Sequence, residues 1–147
     1  MCLSETFSPV TNRKFRKPSM VTELFHSVQA RRIASYIMDT YGDKPEFPWK
    51  RSPQCNVFRN RSNHRWYAIL LQAKGNELGE GIAERNILNV KPYPEEYSSL
   101  VEQADIFPGI RVDSKAWISI SLDGYYEDDF IKTLIDMSYQ KANGKRS

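Results

Sequence analysis

Between Glu46 and Glu77 the chain carries no acidic residue, while Lys50, Arg51, Arg59, Arg61, Arg65 and Lys74 all fall there. Arg59, Arg61, His64 and Arg65 sit on and around Asn60-Arg61-Ser62-Asn63-His64, a run of residues suited to the loop of a β-hairpin. Phosphate contacts need cations that project from a common surface, and a hairpin wing supplies one. Strand alternation sends Arg59, Arg61 and Arg65 towards one side. Lys50, Arg51, Arg59, Arg61, His64 and Arg65 are therefore the candidate nucleic-acid-binding residues, with DNA as the expected polyanion. The same residues also suit an ordinary charged hairpin, solvated or paired with the acidic stretch from Glu95 to Asp129, and both readings stay open. Trp66 and Tyr67, next to it, read as packing groups of the sheet rather than as base-stacking platforms.

Other chemistries find less support. His26 and His64 are the only histidines, and neither stands at ligand spacing from Cys55 or from a pair of carboxylates, so no metal is expected. Cys55 has no nucleophile motif around it and reads as a small buried hydrophobe. Glu127, Asp128 and Asp129 suit the start of a helix, where negative charge meets the positive end of the dipole. Gly75, Gly79 and Gly81 are not followed by the Gly-Lys-Ser/Thr of a phosphate loop. The expectation is a non-enzymatic protein without a cofactor. A second reading is a module that binds a protein, peptide or small ligand on an apolar sheet surface, its groove lined by Trp49, Trp117, Tyr125 and Tyr126.

Forty per cent apolar and 27% charged residues over 147 positions fit one folded domain with its own core, and a net charge of +3 says little about partners. No run approaches the roughly 18 uninterrupted apolar residues of a membrane span, and the N-terminus lacks the apolar core of a signal peptide. Two cysteines do not make a disulfide framework. A cytoplasmic protein, monomeric or weakly dimeric and without a membrane partner, is expected. Residues 1–21 read as a flexible basic extension, 22–142 as the folded domain and 143–147 as a polar tail.

The elements that would hold these residues follow from hydrophobic period. Lys115 to Asp123 alternates, with Ile118, Ile120 and Leu122 on one face and Trp117, Ser119 and Ser121 on the other, nearer solvent. Such alternation favours an antiparallel sheet. A first helix is expected from an N-cap at Thr22 to a stop at Gly42, with a break possible at Ala30-Arg31-Arg32. Lys44 to Trp49, with two prolines, is a loop; Cys55 to Arg59 and Trp66 to Ala73 are strands, and Gly75 to Glu84 is a long flexible connection. Ile87 to Val90 is a third strand. Pro94 opens a helix whose buried stripe is Tyr97, Leu100, Val101 and Ala104. Ile106 to Gly109 reads as a turn, Ile110 to Val112 as a short strand before the Trp117 strand, and Phe130, Leu134, Ile135 and Met137 mark a last helix. The result is an α+β two-layer sandwich, order α-β-β-β-α-β-β-α, with helices on one side of a mainly antiparallel five-stranded sheet.

With those elements in place, the chain resembles the MmcQ/YjbR-like family of small bacterial proteins. The resemblance rests on Pro45-Glu46-Phe47-Pro48-Trp49, Arg65-Trp66-Tyr67-Ala68, Leu88-Asn89-Val90-Lys91, Ile106-Phe107-Pro108, Lys115-Ala116-Trp117-Ile118, Leu122-Asp123-Gly124 and Ser138-Tyr139, in that order across Ala30 to Ala142. It implies a compact sheet-and-helix fold similar to that of secretion chaperones, and DNA binding by analogy with a double-wing domain. It brings no catalytic residues. The chain departs at Arg111-Val112-Asp113-Ser114, where relatives commonly have a His-Met-Asn-Lys run, so no role resting on that histidine is carried over.

Overall fold

A computed structural model describes residues 27–48, 55–73, 77 and 85–144. Helix α1 (Val28–Tyr41) starts at Ser27, whose side chain accepts from the Ala30 N–H, and stops at Gly42 in the left-handed region (φ 74°). It runs unbroken through Ala30-Arg31-Arg32, and the expected cap at Thr22 lies outside the described residues. Ala30, Ile33, Ala34 and Ile37, spaced as one helical face, are buried.

Strands β1 (Asn56–Arg59), β2 (Trp66–Ala73), β3 (Arg85–Val90), β4 (Ile106–Pro108) and β5 (Ile118–Ser121) form one sheet in the order β1-β2-β3-β5-β4. Every pairing is antiparallel. Helix α2 (Pro94–Val101) joins β3 to β4, and α3 (Asp128–Ala142) closes the fold. Pro94 stands in the first turn of α2, where its missing N–H costs nothing. The helix ends at Val101, so Ala104 lies beyond it and is exposed rather than part of the buried stripe. The element order matches the expected one, and the three helices pack on one face around Ile33, Leu70, Leu88, Leu100, Ile120 and Ile131.

Two expectations for residues 106–121 are corrected. Ile106 to Pro108 is the edge strand and Ile110 to Val112 is not a strand. Pro108 reads as a turn residue, but on an edge strand no ladder hydrogen bond needs its N–H. The second face of β5 is not near solvent either: Trp117, Ser119 and Ser121 are all buried. The chain after β4 folds back over that face. Ile110 N–H donates to Ser119 Oγ (2.9 Å), Asn89 Nδ2 donates to the Ile110 carbonyl (2.9 Å), and Ser119 Oγ donates to Asn89 Oδ1. The polar face of the alternation thus satisfies a covering loop instead of water. Around it Cys55, Val57, Ile69, Leu71, Ile87 and Trp117 build a second apolar cluster.

Alternation is also broken in β2. Phe58 pairs with Ala68 but Arg59 with Trp66, which leaves Tyr67 as the extra residue of a bulge. Its ring turns to the helix side, edge-on to Tyr41 and Tyr139. Asp136 of α3 accepts from both Tyr36 (2.7 Å) and Tyr41 of α1, which binds the two helices. Glu77, the only described residue between Ala73 and Arg85, is helical and accepts two hydrogen bonds from Arg111 (2.7 and 2.8 Å); the rest of the expected flexible connection lies outside the described residues.

Candidate nucleic-acid interface

The hairpin expected to present Arg59, Arg61, His64 and Arg65 together divides them. Arg59 Nε donates to Glu46 Oε2 (2.9 Å). Arg61 Nε lies 3.3 Å from Oδ1 of Asp43, whose other oxygen accepts from the Tyr67 hydroxyl (2.6 Å). Burial and that hydrogen bond push the Tyr67 phenol well above its ordinary pKa. Both arginines are thus tied to the loop after α1, and neither to the acidic stretch from Glu95 to Asp129. His64 has φ 64° and donates its N–H to the Asn60 carbonyl (2.7 Å), so its backbone closes the turn. Lys50 and Arg51 lie outside the described residues.

Arg65 goes elsewhere. It lines an open cleft of about 340 Å³ with Trp66, Lys91, Trp117, Ser138, Lys141 and Ala142. The antiparallel order places this cleft at the end of the sheet where β2 and β5 begin and β3 finishes, beside the last turn of α3. Local chemistry fixes each wall. Ser138 Oγ accepts from the Lys91 N–H (2.9 Å) and donates to the Tyr67 carbonyl (2.6 Å), pinning the end of β3 to α3. Lys91 Nζ stands 5.8 Å from the centre of the Trp117 ring, within reach of a cation–π contact. Asn60 and Asn63 tie the hairpin turn to α3: Asn60 Nδ2 donates to Asn143 Oδ1, and Asn63 Nδ2 to the Ala142 carbonyl (2.7 Å). Asn63 Oδ1 also accepts from the Arg65 N–H (2.9 Å).

Among the described residues, no carboxylate lines the cleft. Partial burial, then Lys91 and Arg65, lower the pKa of Lys141 from its ordinary value. Like charges crowded beside partly buried surface are costly unless an anion joins them. Sequence reasoning reached Arg65 but missed Lys91 and Lys141. The Asn60/Asn63 spacing that docks the turn on α3 read only as turn chemistry.

The alternative groove is not assembled by the residues named for it. Trp117 is only 7% exposed and belongs to the cluster on the second sheet face. Tyr126 packs against the helix-side core, stacked on Phe130 with Tyr125 edge-on to it. Tyr125 is exposed, and Trp49 lies outside the described residues. A different concavity of about 190 Å³ opens on the second face, lined by Cys55, Ile69, Leu71, Asn89, Ile110, Arg111 and Val112. Burial pushes the Cys55 thiol up to about 11, with nearby Arg111 pulling the other way, so it stays protonated near neutral pH.

The family model described as YjbR matches residues 38–141, a span from late α1 to the last turn of α3 that includes Arg65, Lys91 and Lys141 of the cleft. The chain belongs to the YjbR family. It is similar to the uncharacterized protein YyaQ of Bacillus subtilis strain 168, 33% identical over 108 residues, covering 73% of this chain and 92% of that protein. A crystal structure of a Pseudomonas syringae protein superposes with a TM-score of 0.73 at 29% identity, covering 76% of this chain and 97% of the other. A solution structure from Pseudomonas syringae gives 0.67 at 28% identity, with 76% and 90% covered. A Deinococcus radiodurans protein with a DUF419 domain shares the fold at 21% identity and TM-score 0.58, with 83% and 82% covered. The YjbR fold is thus set by the sheet and its helix layer, and the cleft opens at one end of that sheet. Among the described residues no helix is long and apolar enough to cross a membrane.

Proposed function

We propose that this YjbR-family protein binds nucleic acid through its phosphates, in the cleft of Arg65, Lys91 and Lys141. The observation that carries this reading is the convergence of three cations from the hairpin, the end of β3 and α3 on one cleft that no carboxylate lines among the described residues. Lysine and arginine heads in such a place neutralise phosphates and release counterions, which makes affinity fall steeply with salt. Arg59 and Arg61 contribute little, because Glu46 and Asp43 already occupy them.

Fluorescence anisotropy with labelled single-stranded and duplex DNA across a salt series tests the proposal. With the three cations together neutralising about three phosphate charges on duplex DNA, the slope of log affinity against log salt is roughly −2.7, and about −2 on a single strand. Lys91→Ala/Lys141→Ala should flatten it to about −1, while Arg59→Ala/Arg61→Ala leaves it nearly unchanged. Absence of binding at low salt, or wild-type binding by the double lysine variant, rejects the proposal.

The cavity beside Cys55 favours a second reading, capture of a small apolar ligand on the other sheet face. Such binding would be nearly indifferent to salt and would weaken when Val112→Trp fills the space.

A further inference from the structure

The geometry points to a phosphate monoester, rather than a phosphodiester within a strand, as the group that the Arg65–Lys91–Lys141 cleft takes up. The inference rests on reading the cleft as a phosphate site and narrows it. A phosphodiester brings one negative charge to a contact, whereas a monoester brings about 1.5 to 2 near neutral pH. A protein that follows a strand spreads its cations along a surface, each near a successive phosphate. Here the three cations line a single cleft of about 340 Å³, near the small end of the range for ligand sites. That space suits one phosphate with the group attached to it.

The cleft is also built before any ligand arrives. Ser138 fixes the backbone of Lys91, Asn63 fixes that of Arg65, and Lys141 lies one turn beyond Ser138 on α3. The nearby carbonyls that would repel an anion are engaged: Ala142 O accepts from Asn63, and Tyr139 O and Lys141 O accept from Asn143 and Gly144. Lys141 is held below its ordinary pKa by burial and by the two neighbouring cations. A doubly charged ligand offsets that crowding more fully than a singly charged one. Half-buried Trp66, with a small exposed part of Trp117, offers apolar wall beside the charges for a sugar or base. The monoester can sit at the end of a nucleic-acid strand or on a free nucleotide, and the chemistry of recognition is the same.

The experiment compares the full chain binding three ligands at one salt concentration: a short single strand with a 5′-phosphate, the same strand with a 5′-hydroxyl, and a nucleoside 5′-monophosphate. The phosphorylated strand should bind about tenfold more tightly than its hydroxyl counterpart, as befits added charge-assisted hydrogen bonds. Lys91→Met and Lys141→Met, which keep an unbranched apolar stem, should each erase that preference while thermal melts confirm the fold; Arg59→Ala should keep it. Equal binding of the two strands, still dependent on Lys91 and Lys141, overturns the monoester inference and leaves nucleic-acid binding standing. Binding of the monophosphate with neither strand bound upholds the monoester and rejects nucleic acid. No binding of any of the three overturns both.

Discussion

Asp128 was among the acids that read, in the sequence, as a helix-start cluster, and its contacts agree. Oδ1 and Oδ2 accept from Arg32 (3.1 and 2.6 Å), and Oδ1 also accepts from Gln29 Nε2 (2.9 Å). Through Gln29, which also donates to the Tyr126 carbonyl and accepts from the Asp123 N–H, this acid joins the start of α1 to the start of α3. The Arg32 guanidinium, helped by Gln29, holds the Asp128 carboxyl down to about 2, against an ordinary 3.8. A depressed carboxylate pKa stabilises the fold above the unfolded value, and the contribution is lost as pH falls through the folded one. The side chain of Arg32 is 54% exposed, so screening limits the pair to about 0.5–1 kcal/mol. Asp128→Asn should therefore lower stability by about that much at pH 7 and at pH 5, with the difference closing as pH falls from about 4 to about 2. Urea unfolding of both proteins at each pH measures it; a difference undiminished at pH 2 would show that the effect lies in packing and not in charge.

At the scale of elements, the segment from Ile106 to Trp117 shows where period-two reasoning stops. Helix faces were legible because Ile33, Ile37, Leu134 and Ile135 each keep the helical spacing that burial requires. Register was less so. The Phe58/Arg59 bulge turns Tyr67 to the helix side, and an inserted residue of this kind has no compositional mark. The swap of turn and strand at 106–112 has a specific cause: Gly109 allows the chain to leave β4 and pass tightly against β5. A Cβ at Gly109 would stand 2.7 Å from both Trp117 Cβ and Val112 Cγ2, and 3.0 Å from the Trp117 carbonyl oxygen. The Gly109 N–H donates to that same oxygen at 2.8 Å, so the two backbones cannot separate cheaply. Gly109→Ala should cost roughly 1–3 kcal/mol in chemical unfolding by overpacking. Adding Val112→Ala should recover part of the loss, because one of the two side-chain clashes disappears. If Gly109→Ala melts like the wild type, the close approach of β4 and β5 is wrong.

For the molecule as a whole, charge was legible as a trend along the chain but not as a place. The acid-free stretch pointed to the hairpin, yet Arg59 and Arg61 meet acids from the loop just upstream, while Arg65 joins Lys91 and Lys141 from 26 and 76 residues downstream by the numbering. Only strand order and the docking of the turn on α3 bring those three together, and neither is a property of any one segment. The same topology sets how stability is distributed. Strands β2, β3 and β5 lie inside the sheet, β2 and β3 with apolar groups buried on both faces and β5 with Ile118 and Ile120 on the helix side, whereas β1 and β4 are its edges. The outer edge of β1 is partly covered: Glu46 and Val57 exchange backbone hydrogen bonds of 2.8 and 2.9 Å. Strand β4 is three residues long and pairs with β5 alone. Opening it locally sacrifices little of the core, whereas opening β3 breaks pairings to β2 and β5 and exposes both apolar clusters. Native-state hydrogen exchange should accordingly rank the amides of Leu70, Leu88 and Ile120 among the slowest, at or near the free energy of global unfolding, with Ile106 and Phe107 several-fold to hundreds-fold faster. Exchange from β4 as slow as from β3 would mean that edge and centre open together. The loop from Gly109 to Trp117, fastened by Asn89 and Ser119, would then act as part of the central sheet rather than as a cover over it.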